Sequence, residues 1–493
     1  MALTPSQRAA IRHPIRWLTD TTPGEHGEIP RRELTCYTLG LAGQNNLYGM
    51  AGGKFFHFCT NVLMIDPIVV GKMTGATTVF DALNDPVVGA FIDNRRFPDG
   101  RKLLPWIKLS SPFIAVAAFF MFIDWGFAAQ GSKVLYAAAM YIVWDIFYSF
   151  QDAGLWGMTA AISPLSSQRA RATQWADIGA MLGGILPGLL LPMLSGDGAF
   201  GLNQQQVYLI FAAVLCLGGG FLTMASLGTT ERVRSIPSEE SSVWKNIGSL
   251  RHNHVLLLFL ASEILNKCAP SVADTYIFQQ MTYDVGGKVI YATVLVTALG
   301  AAAGIPGTAL KFVATKVAER VGGMKRLLII GRVTGIITGL LQFFVGIKSV
   351  PALVLMYVLE AISGLPNNIY GIAQRTMISD SVEYVEWKTG ERTEGITMAM
   401  RNLMSKLSGA IQKYIQGFCL AFLQFDARLV KANKPQNAHF QKWIWPMFKL
   451  GPTLGLVLSL IPLLLLKYPD TLKQKVEDEM AQRRAMAEQV NAD

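Results

Sequence analysis

Charge is scarce in this sequence. Asp, Glu, Lys and Arg make up 16% of its 493 residues, against about 25% in soluble globular domains. That shortage excludes the string of two or three soluble domains that length alone would allow. Cysteine is scarce too. The five present, Cys36, Cys59, Cys216, Cys268 and Cys419, lie in or beside apolar runs without metal-ligand spacing, and read as small buried hydrophobes. Residues 1–33 lack a leading apolar run and are polar and basic, with Arg8, Arg12, Arg16, Arg31 and Arg32. No cleavable signal peptide is expected there. The first apolar segment then serves as its own insertion signal. No nucleophile–base pair, glycine-rich phosphate loop or metal cluster is visible, so neither an enzyme nor a resident cofactor is expected.

What the chain has instead is apolar length. It is 51% hydrophobic, with 46 Gly, 26 Phe and 10 Trp, as suits a bilayer, where glycine and interfacial aromatics are enriched. Runs of about 20 apolar residues, enough to span a membrane, fall at roughly 35–63, 67–93, 104–127, 134–162, 173–195, 206–228, 254–280, 289–315, 326–346, 350–375, 395–424 and 444–466. The expected fold is an all-α membrane protein of about twelve helices. The first, second, fourth and eleventh spans hold too many polar residues for lipid and are expected to face a bundle interior or a wet cavity.

The net charge of +10 sits in short loops between spans, the pattern of membrane orientation and not of a nucleic-acid partner. Arg95, Arg96, Arg101 and Lys102 follow span 2, Arg169 and Arg171 span 4, and Arg232, Arg234 and Lys245 span 6. Lys316, Arg320, Lys325 and Arg326 separate spans 8 and 9, and Lys388 and Arg392 follow span 10. Positive-inside bias places both termini in the cytoplasm, although Arg428, Lys431 and Lys434 run against it. The resulting segments are 1–33, a cytoplasmic N-terminus; 34–228, six helices; 229–252, a cytoplasmic loop; 253–467, six more helices; and 468–493, a cytoplasmic tail mixing charges at the spacing of a solvated helix. The basic turn after span 2 is echoed after span 8, a weak internal symmetry of the kind transporters show.

Span 2 is acidic where it should be apolar. Asp81 and Asp85 lie four residues apart and share a helix face, with Asn84 beside them. Ionised carboxylates in a membrane are costly without compensation. A hard cation supplies it, because such ions prefer oxygen ligands. Proton binding is the alternative, because two close carboxylates raise one pKa. A plain polar contact to a neighbouring helix would need only one acid. On span 4, Ser149, Asp152 and Trp156 recur at i, i+3 and i+7 on one face, with Asp145 seven residues before Asp152. An acid can accept paired hydroxyl hydrogen bonds and an aromatic face can pack on a sugar's C–H side. Lys406, inside a mostly apolar helix, needs a carboxylate partner. Glu263 and Lys267 read as a structural i, i+4 pair. Pro366-Asn367-Asn368 is expected to interrupt backbone hydrogen bonding in span 10.

The run Asp81-Ala82-Leu83-Asn84-Asp85-Pro86-Val87-Val88-Gly89, the later Arg101-Lys102-Leu103-Leu104-Pro105-Trp106, and the acid-rich Asp380–Gly395 stretch with its Glu386-Trp387-Lys388-Thr389-Gly390 core resemble the glycoside–pentoside–hexuronide:cation symporters of the major facilitator superfamily. The resemblance extends in weaker form over residues 34–466. It implies a cation site of Asp81, Asn84, Asp85 and Ser149, with Lys406 close by, for Na+ or H+. It implies a solute site of Asp152 and Trp156, with Asn45 where the family's first helix carries an acid and Asp177 where its fifth carries an arginine. Those two departures argue against simple galactosides and against anionic hexuronides, which want a basic partner. The expected function is cation-coupled symport of a sugar or glycoside by alternating access, in a multi-pass cell (inner) membrane protein. A cation-coupled carrier of a non-sugar solute or lipid, or a transporter-like sensor of solute, is the competing expectation.

Overall fold

The computed structural model describes residues 28–233 apart from 96, 99, 164 and 195–201. Beyond them it describes 253–272, 283–285, 288–290, 298–304, 306, 314–347, 349–389, 394–431, 434–466, 472, 475–476, 478–480 and 482. The chain forms two compact units, Met1–Pro237 and Ser238–Asp493.

The first unit is built from α1 (Arg31–Asn61), α2 (Pro67–Asn94), α3 (Leu104–Met121), α4 (Gln130–Ala161), α5 (Ser166–Leu194) and α6 (Gln204–Gly228). Local chemistry sets the starts. The Asp66 carboxylate accepts from the N–H groups of Ile68 and Val69, with Pro67 at the first helical position, so α2 begins there. Asn203 and Gln206 satisfy each other's backbone in a capping box that opens α6. Within α6, Ala212–Leu217 is a π-helical segment.

Helix α1 packs on α5 and α6, and α4 receives α2 and α3. The α1–α5 crossing is close because Gly179 and Gly183 lie one turn apart. A Cβ at either would collide with the backbone carbonyl of Thr38 or Ala42, the small-residue approach that membrane helices use. Tyr37, Leu41, Leu104, Ile107, Leu155 and Met158 form the core at one end of this unit.

Three residues after α6 tie that end together. Glu231 caps α3, its Oε2 accepting from the N–H of Lys102 at 2.8 Å and its Oε1 from Leu103 at 2.9 Å and Leu104 at 2.7 Å. Arg232 pairs with Glu33 at 2.6 Å and donates to the Ile162 carbonyl at 3.1 Å. The N–H groups of Arg232 and Val233 both reach the Ala161 carbonyl. A carboxylate at a helix N-terminus is doubly favoured, by the orphan donors and by the dipole.

The second unit contains α7 (His254–Lys267), a short antiparallel pair β1 (Tyr283–Val285) and β2 (Lys288–Ile290), α8 (Ala314–Val321), α9 (Met324–Val345), α10 (Val350–Thr389), α11 (Glu394–Phe422) and α12 (Ala438–Leu465). Here α9 packs on α10 and α12, and α7 on α11 and α12. A buried polar knot joins three of them. Lys449 Nζ of α12 meets Glu360 Oε2 of α10 at 3.0 Å, and Gln342 Nε2 of α9 donates to the same oxygen at 2.8 Å. Lys267 is in electrostatic contact with Glu263 one turn earlier and with the buried Arg332.

Three features of this unit differ from the sequence expectation. The eighth span was expected to begin at 289, but Val289 and Ile290 lie in β2; much of spans 7 and 8 (273–282, 291–297 and 307–313) lies outside the described residues. Helix α10 runs on to Thr389, fourteen residues past 375, and passes through 366–368 without a break in helical backbone; no glycine follows Gly371 until Gly390, so nothing stops it. The side chains of Pro366, Asn367 and Asn368, and all of residues 390–393, lie outside the described residues. The tail, expected to be solvated, has a buried side. Val476 and Met480 join a core with Val255, Phe259, Tyr384 and Val385, and Trp387 donates to Glu479 at 2.6 Å.

Among the described residues, α3, α6, α9 and α12 are each long and apolar enough to cross a membrane.

Candidate functional site

Helices α2 and α4 lie side by side, and their polar faces meet. Ser149, buried on α4, places Oγ 3.0 Å from Asp85 Oδ1 and 3.1 Å from the Asp145 carbonyl, while Asn84 Nδ2 donates to it at 3.3 Å. One hydroxyl has one proton and two lone pairs, so Ser149 can donate to the carboxylate or to its own helix but not to both. Asp81 sits one turn before Asp85. Tyr141 of α4 is in electrostatic contact with Asp81 and with the buried Asp145, and is hydrogen-bonded to Thr78. The structure thus brings Asp81, Asn84, Asp85 and Ser149 into one neighbourhood. Among the described residues no group of three or more His, Cys, Asp or Glu side chains is arranged to hold a metal ion. What is present is carboxylate oxygen helped by neutral hydroxyl and amide oxygen, a chemistry suited to a hard monovalent cation or a proton.

One turn along α4, Asp152 Oδ1 accepts from Gln44 Nε2 of α1 at 2.7 Å. The Tyr148 hydroxyl is hydrogen-bonded to the same acid. Gln44 is fully buried, and its Oε1 has no hydrogen-bond partner among the described residues. A buried acceptor left open in this way marks a place where water or a ligand hydroxyl belongs.

The expected solute residues are distributed differently from one another. Asn45 turns back to its own helix, donating to the Leu41 carbonyl at 3.0 Å, and its neighbour Gln44 makes the contact to Asp152. Trp156 is half-buried and packs against the Tyr37–Leu41–Leu104 core. Asp177 is exposed on α5 and, like Asp152, is in electrostatic contact with Tyr37. Lys406 is half-buried on α11, in the second unit. Sequence reasoning missed Gln44 and Tyr148, the partners of Asp152. The run Gln44-Asn45-Asn46 signalled a polar face on α1, but successive helical residues point about 100° apart, and only the structure shows which one meets α4.

The helical fold has counterparts among solved structures. The chain is similar over 88% of its length to a solved nucleoside transporter, all of which is covered, with a TM-score of 0.63 at 12% identity. Residues 36–470 match the family of MFS/sugar transport proteins, and the chain belongs to that family, one of membrane transport proteins and not of enzymes. Relatives include a lactose permease of Lactobacillus delbrueckii subsp. bulgaricus, 27% identical over 77% of this chain, and an isoprimeverose transporter of Lactiplantibacillus pentosus, 24% identical over 93% of this chain and 92% of its own length. The chain spans 61% of the lactose permease's length.

Proposed function

We propose that this protein is a cation-coupled symporter of an uncharged glycoside, working by alternating access in the cell membrane with both termini in the cytoplasm. One observation carries the reading. Ser149, which contacts Asp85, and Asp152, which is held by Gln44 and Tyr148, stand three residues apart on α4, a rise of about 4.5 Å. A cation drawn to Asp81 and Asp85 fixes Ser149, and with it the turn of α4 that presents Asp152. Cation and solute then raise each other's affinity by the same coupling free energy. The names of the relatives, a lactose permease and an isoprimeverose transporter, support a sugar as the solute.

Sodium and proton are both served by this chemistry, and the test separates them. Purified protein is melted in sodium, lithium and choline chloride at matched ionic strength, with and without a panel of glycosides, as wild type and as Asp85→Asn. A ligand at about 100 times its Kd stabilises the native state by about 2.7 kcal/mol. A sodium-specific rise that disappears in Asp85→Asn, and that a glycoside extends, is the expected result. No response to any salt removes sodium, and no response to any glycoside removes the sugar. A second reading, a cationic solute, is favoured by one observation: Asp152 and Asp177 both lie around Tyr37. A panel that includes quaternary amines tests it.

A further inference from the structure

The acid and amide at Asp152 and Gln44 can address a sugar's hydroxyls, but a pyranose ring also has an apolar C–H face that wants an aromatic surface. Trp156 is half-buried and rests against the core of its own unit. Among the described residues, Tyr48 offers an exposed ring one helical turn from Gln44.

Tyr48 lies four residues after Gln44 on α1, hence on the same helix face one turn along. It is 50% exposed, whereas Tyr141 and Trp144 behind it are buried. Its ring tilts against Tyr148 at 5.6 Å between centroids, and Tyr148 is stacked on Trp144 at 4.9 Å. Tyr48 is therefore the exposed member of an aromatic group in which Tyr148 is hydrogen-bonded to Asp152. Exposed aromatic rings on membrane helices ordinarily face lipid. Tyr48 does not fit that description, because it shares electrostatic contact with Tyr141 and Tyr148, which also feel Asp81 and Asp152, and carboxylates are not kept among acyl chains. Gly52 sets the ring's position. A Cβ there would stand 3.1–3.4 Å from three ring carbons of Tyr48, so the bare glycine gives the ring room to lie against α1.

We propose that Tyr48, seated over Gly52 and backed by Tyr148, is the surface on which the C–H face of a pyranoside rests while Asp152 and Gln44 hold its hydroxyls. This assignment rests on the glycoside reading above and adds its stacking residue.

The full-length protein is titrated calorimetrically with methyl β-glucoside, p-nitrophenyl β-glucoside and p-nitrophenyl α-galactoside in sodium chloride. Tyr48→Phe, which keeps the ring, is expected to bind within a few-fold of wild type. Tyr48→Leu is expected to weaken binding roughly 10- to 100-fold, about 1.4–2.8 kcal/mol, and Gly52→Ala to weaken it by a smaller factor in the same direction. Trp156→Leu is expected to cost less than Tyr48→Leu. Unchanged melting of each variant without glycoside shows that the fold is intact; if Tyr48→Leu fails to fold, the comparison of Gly52→Ala with wild type decides. Wild-type binding that survives Tyr48→Leu or Gly52→Ala unchanged overturns the assignment, as does a larger loss in Trp156→Leu. No binding of any glycoside by the wild type overturns the glycoside reading itself, and this inference with it.

Discussion

Replacing Ser149 by alanine tests the proposed cation site at its smallest part. The hydroxyl lies 3.0 Å from Asp85 Oδ1 and 3.1 Å from the Asp145 carbonyl. Without a cation its proton serves the carboxylate, a hydrogen bond to a charged group worth about 1.5–3 kcal/mol. When a cation arrives, the proton can swing to the Asp145 carbonyl and present a lone pair to the ion, so no polar group is stranded in either state. Alanine removes that oxygen and leaves Asn84 without the acceptor it has at 3.3 Å. The bound state loses a ligand oxygen while the empty site loses a hydrogen bond, so the two losses partly offset, and sodium binding is expected to weaken roughly 10-fold, about 1.4 kcal/mol. Threonine keeps a hydroxyl that can bond back to the carbonyl four residues earlier, and Ser149→Thr is expected to stay within about threefold of wild type. Sodium titrations followed by calorimetry, with Asp85→Asn as the variant that abolishes the response, give the answer. A Ser149→Ala protein with wild-type sodium affinity refutes the swing of the hydroxyl.

Two further predictions concern the packing within each unit. Glu231→Ala strands three N–H groups at the start of α3 and should cost about 2 kcal/mol, read as a fall in Tm of roughly 4–8 °C; Glu231→Gln, which keeps one oxygen, should lose about half as much, and equal melting of all three proteins would show that the cap is idle. Glu360→Gln leaves the buried Lys449 charge uncompensated and should cost about 3–5 kcal/mol, while Glu360→Gln with Lys449→Met should recover most of it; denaturation of both variants checks this, and an additive double variant would contradict the pairing.

The helical architecture was legible in the sequence because spanning helices announce themselves by length and apolarity. Ten of the expected spans coincide with α1–α6 and α9–α12. The ends were less legible. Helix α10 overran its expected end because hydropathy falls at the membrane surface while helix propensity does not. The tail's buried face is a thin stripe, Leu472, Val476 and Met480 at four-residue spacing in a charged stretch, and only Tyr384 and Val385 opposite make it a core. At the site, Asp81, Asn84, Asp85, Ser149 and Asp152 stood out because polar groups in an apolar helix are expensive. Gln44, Tyr48 and Tyr148 did not. An amide in a polar run and two tyrosines among fourteen carry no signal until α1 and α4 are side by side.

The position of Glu231 and Arg232 in the chain gives the first unit a built-in order of assembly. Helices α1, α3 and α4 can insert as they are synthesised, but the residues that clasp their ends follow α6. Chains emerge N-terminus first, so the first unit stays unclasped until residue 233 has left the ribosome. A ribosome stalled before that point carries six helices and an open rim; one stalled just after it carries a finished half.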